Sequence, residues 1–295
     1  MKSTPLISLF SSGKMGQMTL RCAHISDLHF FSMPKTIGGF YGKNGLGILN
    51  HLLFRKKIFH SHIFQDLLEE ILAQNVDELW ISGDISVSGL NEEFLLAKQE
   101  MEIIYKRPLK IRVIPGNHDV RSKNLHTFYQ LFLDGRTPEK IETINLNPFW
   151  DLITIDASHN EEKRDCGLFC EALEASLIEH LKKSTALQVA IMCHYPPPIA
   201  QGQNNRLVRG DQLEKLLLKF TKIALFAHGH THKQTLFHQN NLAIANPGIS
   251  RGSFGRYNLY ELTNKSLKIE LKRVRKKNSH EAWRNEQVFS REISV

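Results

Sequence analysis

Short apolar runs alternate with helix-like segments over most of the 295-residue chain, and this alternation constrains the fold more than any other feature. Between the runs, apolar residues recur at spacings of three and four, which predicts amphipathic helices. Strands that alternate with helices form sheets buried on both faces. The predicted strands are Leu20–Ile25, Glu78–Ser82, Ile111–Ile114, Leu152–Ile155, Val189–Cys193 and Ile223–Ala227, and the predicted helices are Ile63–Gln74, Glu92–Tyr105 and Glu171–Lys183.

The pattern changes after His232, where strand-like runs follow one another with turns and no helix between them. A chain of this length with 41% hydrophobic residues can bury a full core. The sequence therefore predicts an α/β organisation that ends in consecutive strands. These strands are Thr235–His238, Leu242–Ala245, Tyr257–Leu262 and Leu267–Val274.

The net charge of +8 is concentrated in two segments. Residues 31–65 carry five lysines or arginines and no acid, and residues 263–295 carry nine against four glutamates. Such segments attract anions, whether nucleic acid, a phosphorylated substrate or an acidic lipid surface. The C-terminal stretch KRVRKK lacks the interleaved aromatic residues of a single-strand binder, which disfavours nucleic acid.

The sequence also bears on the cellular compartment. No apolar stretch is long enough for a membrane-spanning helix, and the early apolar patch Pro5–Phe10 is too short for a secretory signal. The four cysteines form no C-x-x-C pair and are too few for a disulfide framework. We predict a cytoplasmic protein, with peripheral contact to the inner face of the membrane as an alternative.

Side chains that ligate metals follow five of the strand-like runs directly. Open α/β sheets place their ligand groups just past the carboxyl ends of strands, so we expect these side chains to converge. Each one alone is typical of a turn or of an ordinary buried histidine, and the prediction depends on their co-occurrence. They are Asp27 and His29 in HISDLH, Asp84 in GDISVSG, Asn117, His118 and Asp119 in PGNHD, His194 in MCHYPPP, and His228, His230 and His232 in FAHGHTHK.

The number and type of these groups favour two metal ions. Asp27 and His29 are two positions apart, as are His230 and His232, so each pair points to one side of an extended segment. With Asp84, Asn117 and His194 they make seven candidate ligands, too many for one tetrahedral catalytic zinc. Two metals that share one carboxylate fit the set. Imidazole and oxygen ligands without sulfur favour Mn, Fe or Zn.

Together these motifs resemble the calcineurin-like metallophosphoesterase superfamily over roughly residues 20–262. The resemblance implies two stacked mixed β-sheets flanked by helices, an αββα sandwich. It further implies one domain over residues 19–275 with a cap-like insertion at about 31–64 and a basic polar tail at 276–295. The motifs that carry it are D-x-H at Asp27–His29, G-D at Gly83–Asp84, G-N-H-D at Gly116–Asp119, an apolar strand ending in His194, and G-H-x-H at Gly229–His232.

The resemblance also implies a role for each residue. His228 precedes the last motif and is expected behind the ligands or at the surface; a register with His228 and His230 as ligands would lose the G-H match. Tyr195 stands where many phosphodiesterase-like members have a second histidine. The implied ligands are Asp27, His29, Asp84 and His232 for one metal and Asp84, Asn117, His194 and His230 for the other, with Asp84 bridging, His118 as proton donor or electrostatic stabiliser and Asp119 orienting it.

The implied activity is hydrolysis of a phosphoester, preferably a phosphodiester or pyrophosphate, by a hydroxide held between two divalent ions, with Mn²⁺ favoured over Fe or Zn. Two alternatives stay open. One is a membrane-associated UDP-2,3-diacylglucosamine-type pyrophosphohydrolase of lipid A synthesis, because residues 46–64 combine leucines and phenylalanines with Arg55, Lys56 and Lys57 and could contact a lipid surface. The other is a metal-binding scaffold without catalysis.

Overall fold

Two six-stranded β-sheets form the centre of the fold. The computed structural model describes residues 19–32, 61–121, 125–159, 166–200, 207–274 and 287–292. The described strands are β1 (Leu20–Ile25), β2 (Glu78–Ile81), β3 (Lys110–Val113), β4 (Ile141–Asn147), β5 (Trp150–Ile155), β6 (Gly167–Leu168), β7 (Gln188–Cys193), β8 (Leu207–Val208), β9 (Ile223–Ala227), β10 (Gln234–Gln239), β11 (Leu242–Pro247), β12 (Gly255–Leu262), β13 (Ser266–Val274) and β14 (Gln287–Glu292). The described α-helices are α1 (Ser61–Ala73), α2 (Asn91–Glu100), α3 (Glu102–Tyr105), α4 (His126–Phe132), α5 (Glu171–Lys183) and α6 (Gly210–Lys219).

Both sheets are mixed. The first has the order β14-β13-β12-β1-β2-β3, with β1, β2 and β3 parallel and β12 antiparallel to β1. The second has the order β10-β11-β9-β7-β5-β4, with a parallel centre and antiparallel strands at both edges. Strands β6 and β8 pair separately as a small parallel ribbon. Each parallel centre gathers its carboxyl strand ends at one edge.

Three apolar clusters hold the layers together. One lies between the sheets and includes Trp80 and Tyr260 from the first sheet and Trp150 and Met192 from the second. The other two lie on the outer faces, where α1 and α2 cover the first sheet and α5 and α6 cover the second. This four-layer arrangement confirms the predicted αββα sandwich. Within the described ranges, no helix is long and apolar enough to cross a membrane.

Most predicted strands appear within two residues of their expected bounds, but six of the described elements were not predicted. The antiparallel edge strand β4 is buried only at its ends and alternates between partly exposed and exposed residues in its middle, so it lacks a continuous apolar run. Helices α4 and α6 were also missed, and the single helix predicted over Glu92–Tyr105 is two helices that meet at Met101. The other three elements are the short strands β6 and β8 and the strand β14.

Strand β14 lies inside the segment expected to be a basic tail. It pairs antiparallel with β13, with Phe289 opposite Ile269. Phe289 packs against the cluster between the sheets while Val288 is exposed, so only one apolar side chain marks this strand as part of the fold. Residues 287–292 therefore extend the first sheet. Most of the predicted cap-like insertion, residues 33–60, lies outside the part of the chain that the structure describes.

Candidate metal centre

The carboxyl ends of β1, β2 and β3 bring three of the polar motifs together. Ile25 lies opposite Ile81, and Ile81 opposite Val113, so the segments that follow emerge side by side. Backbone hydrogen bonds continue this alignment past the strands, since Asp27 N donates to Gly83 O at 3.1 Å. In the second sheet Met192 of β7 pairs with Ala227 of β9, which brings the last two histidine motifs to the corresponding edge.

Five of the seven predicted ligands have a left-handed backbone. Their φ angles lie between 46° and 70°, a region that costs a non-glycine residue about 1–2 kcal/mol. Such residues persist only where the surrounding structure holds them, and they cluster at functional sites. Left-handed backbone turns each side chain away from its strand direction and toward the edge shared by the two sheets. The five residues are Asp27, His29, Asp84, His230 and His232.

Two glycines of the motifs are required because neighbouring atoms leave no room for a Cβ, and not because their φ angles are unusual. A Cβ on Gly116 would collide with the Asp84 carboxylate and backbone nitrogen. A Cβ on Gly229 would collide with the Ser26 hydroxyl and lie 2.9 Å from Asp27 Oδ2. The glycines in G-N-H-D and G-H-x-H therefore let backbone segments pack directly against the carboxylates.

Gly116→Ala is expected to displace Asp84 and so reduce metal binding as well as stability. Overpacking a tight site costs roughly 1–3 kcal/mol. Metal content by elemental analysis and the urea midpoint would be measured together. Gly135→Ala provides the control for metal content. Its φ of 77° strains an alanine and should cost some stability, but a Cβ there would meet only the flexible Gln130 side chain and not Asp84. Unchanged metal content in Gly116→Ala would contradict this account of the glycine.

A first cluster of donor atoms comprises Asp27, His29, Asp84 and His232. One ligand atom from each lies within 4.8 Å of the others. His29 Nε2 and His232 Nε2 are 3.0 Å apart, and His232 Nε2 lies 3.3 Å from Asp27 Oδ1. Asp27 Oδ1 is fully buried and accepts no hydrogen bond from the described part of the chain. A buried carboxylate oxygen that faces two imidazole nitrogens fits a divalent cation.

A second cluster comprises Asp84, His194 and His230, again within 4.8 Å. His194 Nε2 lies 3.4 Å from Asp84 Oδ2. Asn117 Oδ1 joins this cluster, at 3.2 Å from His194 Nε2 and 3.0 Å from His230 Nδ1. The two clusters share Asp84, so the structure gathers all seven predicted ligands into two adjoining groups.

The electrostatics of the clusters favour cation binding. Burial opposes ionisation of Asp84, but the imidazoles of His194 and His118 outweigh it and hold the pKa of Asp84 well below its usual value. The pKa of Asp27 falls to about 2 because its contact with His232 also outweighs burial. Burial lowers the pKa of His29 well below its usual range. Ionised carboxylates and neutral imidazoles are the forms that bind divalent ions.

The pKa of His194 is shifted in the opposite direction from that of His29. Burial lowers its pKa, but Asp84 overrides this effect and raises the pKa of His194 to about 9. A cation in the second cluster must therefore displace a proton from this imidazole, so binding there releases a proton. His194 Nδ1 lies 2.7 Å from Ser82 O and donates to it, which directs Nε2 toward Asp84 and Asn117.

His118 lies at the side of Asp84. Its backbone nitrogen donates to Asp84 Oδ1 at 2.8 Å, and its Nε2 lies 3.9 Å from Asp84 Oδ2. Its Nδ1 lies 2.6 Å from the carbonyl oxygen of Val87 and donates to it. The Nε2 atom is therefore the one that faces the clusters, as a proton donor requires.

Asp119 was expected to orient His118, but in the structure its carboxylate accepts hydrogen bonds from two loops. Its Oδ2 accepts from the backbone nitrogens of Gly116 and Ile85, and its Oδ1 accepts from the backbone and hydroxyl of Ser86. It thus ties the loop after β3 to the loop after β2. The carbonyl of Val87, not Asp119, orients the imidazole, because both carboxylate oxygens are occupied by the loops.

Two further positioning residues were not predicted. Asn246 donates to Gly229 O at 2.9 Å and to the Thr231 hydroxyl at 2.8 Å, which fixes the loop that carries His230 and His232. In the sequence, only the N-P-G pattern at residues 246–248 pointed to Asn246. The fully buried Glu93 accepts from Ser88 N at 2.8 Å and Leu90 N at 3.3 Å. The N-cap of α2 is Leu90 instead of Ser or Thr, so the sequence lacks the capping-box pattern that would have predicted a role for Glu93.

His228 and Tyr195 are both fully buried. His228 contacts Gly229 O at 2.9 Å and Asn246 Nδ2 at 3.4 Å, behind the clusters, so the surface position left open for it is wrong. The Tyr195 ring lies 5.1 Å from the rings of both His194 and His230. Tyr195 therefore supports the second cluster by packing.

The family follows from a comparison with known proteins. The family model described as calcineurin-like phosphoesterase matches residues 20–234, which is well over half of the chain. The chain belongs to the calcineurin-like phosphoesterase family. The resemblance carried by the motifs is confirmed, and the chain is a phosphoester hydrolase whose Asp and His clusters suit a divalent metal centre.

Two curated relatives match most of the chain. A probable cyclic nucleotide phosphodiesterase of Vesicomyosocius okutanii is 25% identical over 231 residues, 74% of this chain and 88% of the relative. A glycerophosphodiester phosphodiesterase of Enterobacter lignolyticus is 26% identical over 229 residues, 76% of this chain and 74% of the relative. Both names describe phosphodiester hydrolysis.

Two solved phosphatase structures share the fold. A dimetal phosphatase from Danio rerio superposes with a TM-score of 0.66 at 13% identity, covering 87% of this chain and 96% of the other. A purple acid phosphatase from yellow lupin gives 0.62 at 10% identity, covering 92% of this chain and 53% of the other. At these identities the likeness extends to the fold alone.

Proposed function

We propose that this chain hydrolyses phosphodiesters with a binuclear metal centre. The observation that carries the proposal is that Asp84 belongs to both donor clusters, which is the arrangement two adjacent cations need. Asp27, His29, Asp84 and His232 would hold one ion, and Asp84, Asn117, His194 and His230 the other. The absence of a thiolate from both clusters fits Mn, Fe or Zn, and we propose manganese among these three ions.

The metal ions would supply Lewis-acid charge and lower the pKa of bound water. The protein's own groups complete the site. His118 would donate a proton from Nε2 to the departing oxygen, while the carbonyl of Val87 holds its Nδ1–H. Asp119 and Glu93 keep the loop that carries Val87 in place through their backbone hydrogen bonds. No serine or cysteine nucleophile is needed.

A phosphodiester is preferred over a monoester because two relatives are named for phosphodiester hydrolysis. A pyrophosphate substrate stays an alternative within the same chemistry. The lipid-precursor alternative depended on residues 46–64, and residues 46–60 lie outside the described chain. Liposome co-sedimentation of a variant with polar residues at Leu52, Leu53 and Phe54 would test it.

Metal removal tests the proposal directly. Chelation is expected to abolish hydrolysis of bis(4-nitrophenyl) phosphate, and added Mn²⁺ is expected to restore it, because no described side chain replaces the metal-activated water. Release of 4-nitrophenolate and bound metal would be measured on the same samples, with Mg²⁺ and Zn²⁺ additions for comparison. Activity that persists after complete metal removal would contradict the proposal.

A further inference from the structure

The loop between β11 and β12 passes beside the metal centre. Gly248 turns the chain with a φ of 74°, and its nitrogen donates to Asn246 Oδ1 at 2.7 Å. Ser250 then pairs with Ser26, since Ser26 N donates to the Ser250 hydroxyl and Ser250 N donates to Ser26 O, each at 3.0 Å. Ser26 directly precedes Asp27, so this loop lies at the edge of the first cluster.

Arg251, the next residue in this loop, is buried without a charged partner. Only 9% of it is exposed, and its guanidinium lies over the ring of Phe30 at 4.4 Å from the centroid. Its Nε has no hydrogen-bond partner, and no carboxylate in the described ranges forms an ion pair with it. Burial lowers the pKa of Arg251, and the more distant Glu100 only partly opposes this effect.

A buried cation without a counterion is costly, because its lost hydration is not replaced. The chain does not offer a nearby acid in sequence either, since no Asp or Glu occurs between Asp27 and Asp66. A guanidinium stacked on an aromatic face keeps its N–H edges available, and this edge matches a carboxylate or phosphate. An anion supplied from outside the chain fits these conditions.

We propose that Arg251 binds a second anionic group of the substrate, a carboxylate or phosphate, while the metal centre binds the phosphodiester. This inference rests on the proposed function and deepens it. Two connections lead from Arg251 to the edge of the first cluster: Phe30, on which the guanidinium stacks, follows His29 in the chain, and Ser250 is hydrogen-bonded to Ser26, the residue before Asp27. The Phe30 ring itself packs against Phe64 of α1, so the proposed anion would lie between the metal centre and this helix. Arg251 would therefore select doubly anionic substrates over simple diesters.

A pair of matched substrates tests this selection. Bis(4-nitrophenyl) phosphate carries no second anion, whereas 4-carboxyphenyl 4-nitrophenyl phosphate and its longer 4-(2-carboxyethyl)phenyl analogue carry one. All three release 4-nitrophenolate. In the Mn²⁺-loaded protein, Arg251→Gln is expected to lower kcat/KM for at least one carboxylate probe by roughly 10- to 100-fold, mainly through KM, the usual effect of losing a charge-assisted hydrogen bond. The value for bis(4-nitrophenyl) phosphate should change little.

Controls separate binding from folding. Arg273→Gln removes another guanidinium that lies near an aromatic ring, that of Phe254 at 5.7 Å, and should affect none of the three probes. Arg251→Gln should lower the melting temperature only slightly, because the stacking lost on Phe30 is offset by removal of a buried charge that has no ion-pair partner in the described ranges. Arg251→Lys should restore part of the selectivity. A large drop in melting temperature with equal losses on all probes would mean a structural role and overturn the inference.

The remaining outcomes are also decisive. If the loaded wild type hydrolyses none of the probes, the proposed function fails and the inference with it. If the wild type is active but the variant leaves the ratio between probes unchanged, only the inference fails. Stabilisation by inorganic sulfate that depends on Arg251, without any discrimination between probes, would indicate a site for a free anion and would equally overturn the role in substrate selection.

Discussion

Asp84→Asn is expected to empty the metal centre and to lower phosphodiester hydrolysis by roughly 10³-fold or more. Losses of this size are usual when the removed group supports a whole catalytic unit. Asp84 belongs to both donor clusters, and asparagine has no negative charge to offset two cations. Asparagine can still accept the hydrogen bond that His118 N donates to Oδ1 at 2.8 Å. The substitution therefore removes the charge while it preserves the loop.

The measurement combines metal content with steady-state rates on bis(4-nitrophenyl) phosphate. Asp211→Asn is the matched control, because Asp211 lies exposed in the first turn of α6 and contacts neither cluster. Excess Mn²⁺ should not restore the Asp84→Asn variant fully, since the shared ligand is missing at any metal concentration. An Asp84→Asn protein that binds two metal ions and keeps its rate would show that Asp84 is a turn residue only.

His118→Asn is expected to keep both metal ions and to slow turnover by roughly 10²–10⁴-fold, the usual contribution of a general acid. The reason is geometric, because His118 Nε2 is 3.9 Å from Asp84 Oδ2 while its Nδ1 is held by Val87 O at 2.6 Å. Its imidazole faces the clusters without belonging to either of them.

The dependence on the leaving group makes this prediction specific. A proton donor matters most when the departing oxygen is basic, so His118→Asn should harm an alkyl ester far more than a 4-nitrophenyl ester. His238→Asn, on the exposed part of edge strand β10, is the control. Loss of metal from His118→Asn, or an equal effect on both esters, would contradict the role of proton donor.

The predicted fold and the observed fold agree best where burial is continuous. Strands β7 and β9 are buried along their whole length, and after Gln188 both consist of apolar residues without interruption. Strands β4 and β14 lie at sheet edges, where one face is open to solvent. Their mixed composition gives no clear period, which explains why the sequence did not reveal them.

The candidate site shows the same division between local and distant information. The motifs around Asp27, Asp84 and His194 could be found because each stands directly after an apolar strand. The hydrogen bonds of Asp119 could not, since they reach the loop after β2 some 33 positions earlier in the chain. The missing counterion of Arg251 likewise emerges only when every neighbouring element is in place.

Sequence alone determined the α/β class and the strands of both parallel centres, and it pointed to seven candidate donor side chains, because residue type and spacing encode these features locally. The family resemblance implied which donors share a metal, but only the tertiary structure brings their atoms together. His29 and His232 are 203 positions apart, yet their Nε2 atoms lie 3.0 Å from each other. That distance depends on the packing of one sheet against the other and on left-handed backbone at both residues, which no local pattern specifies.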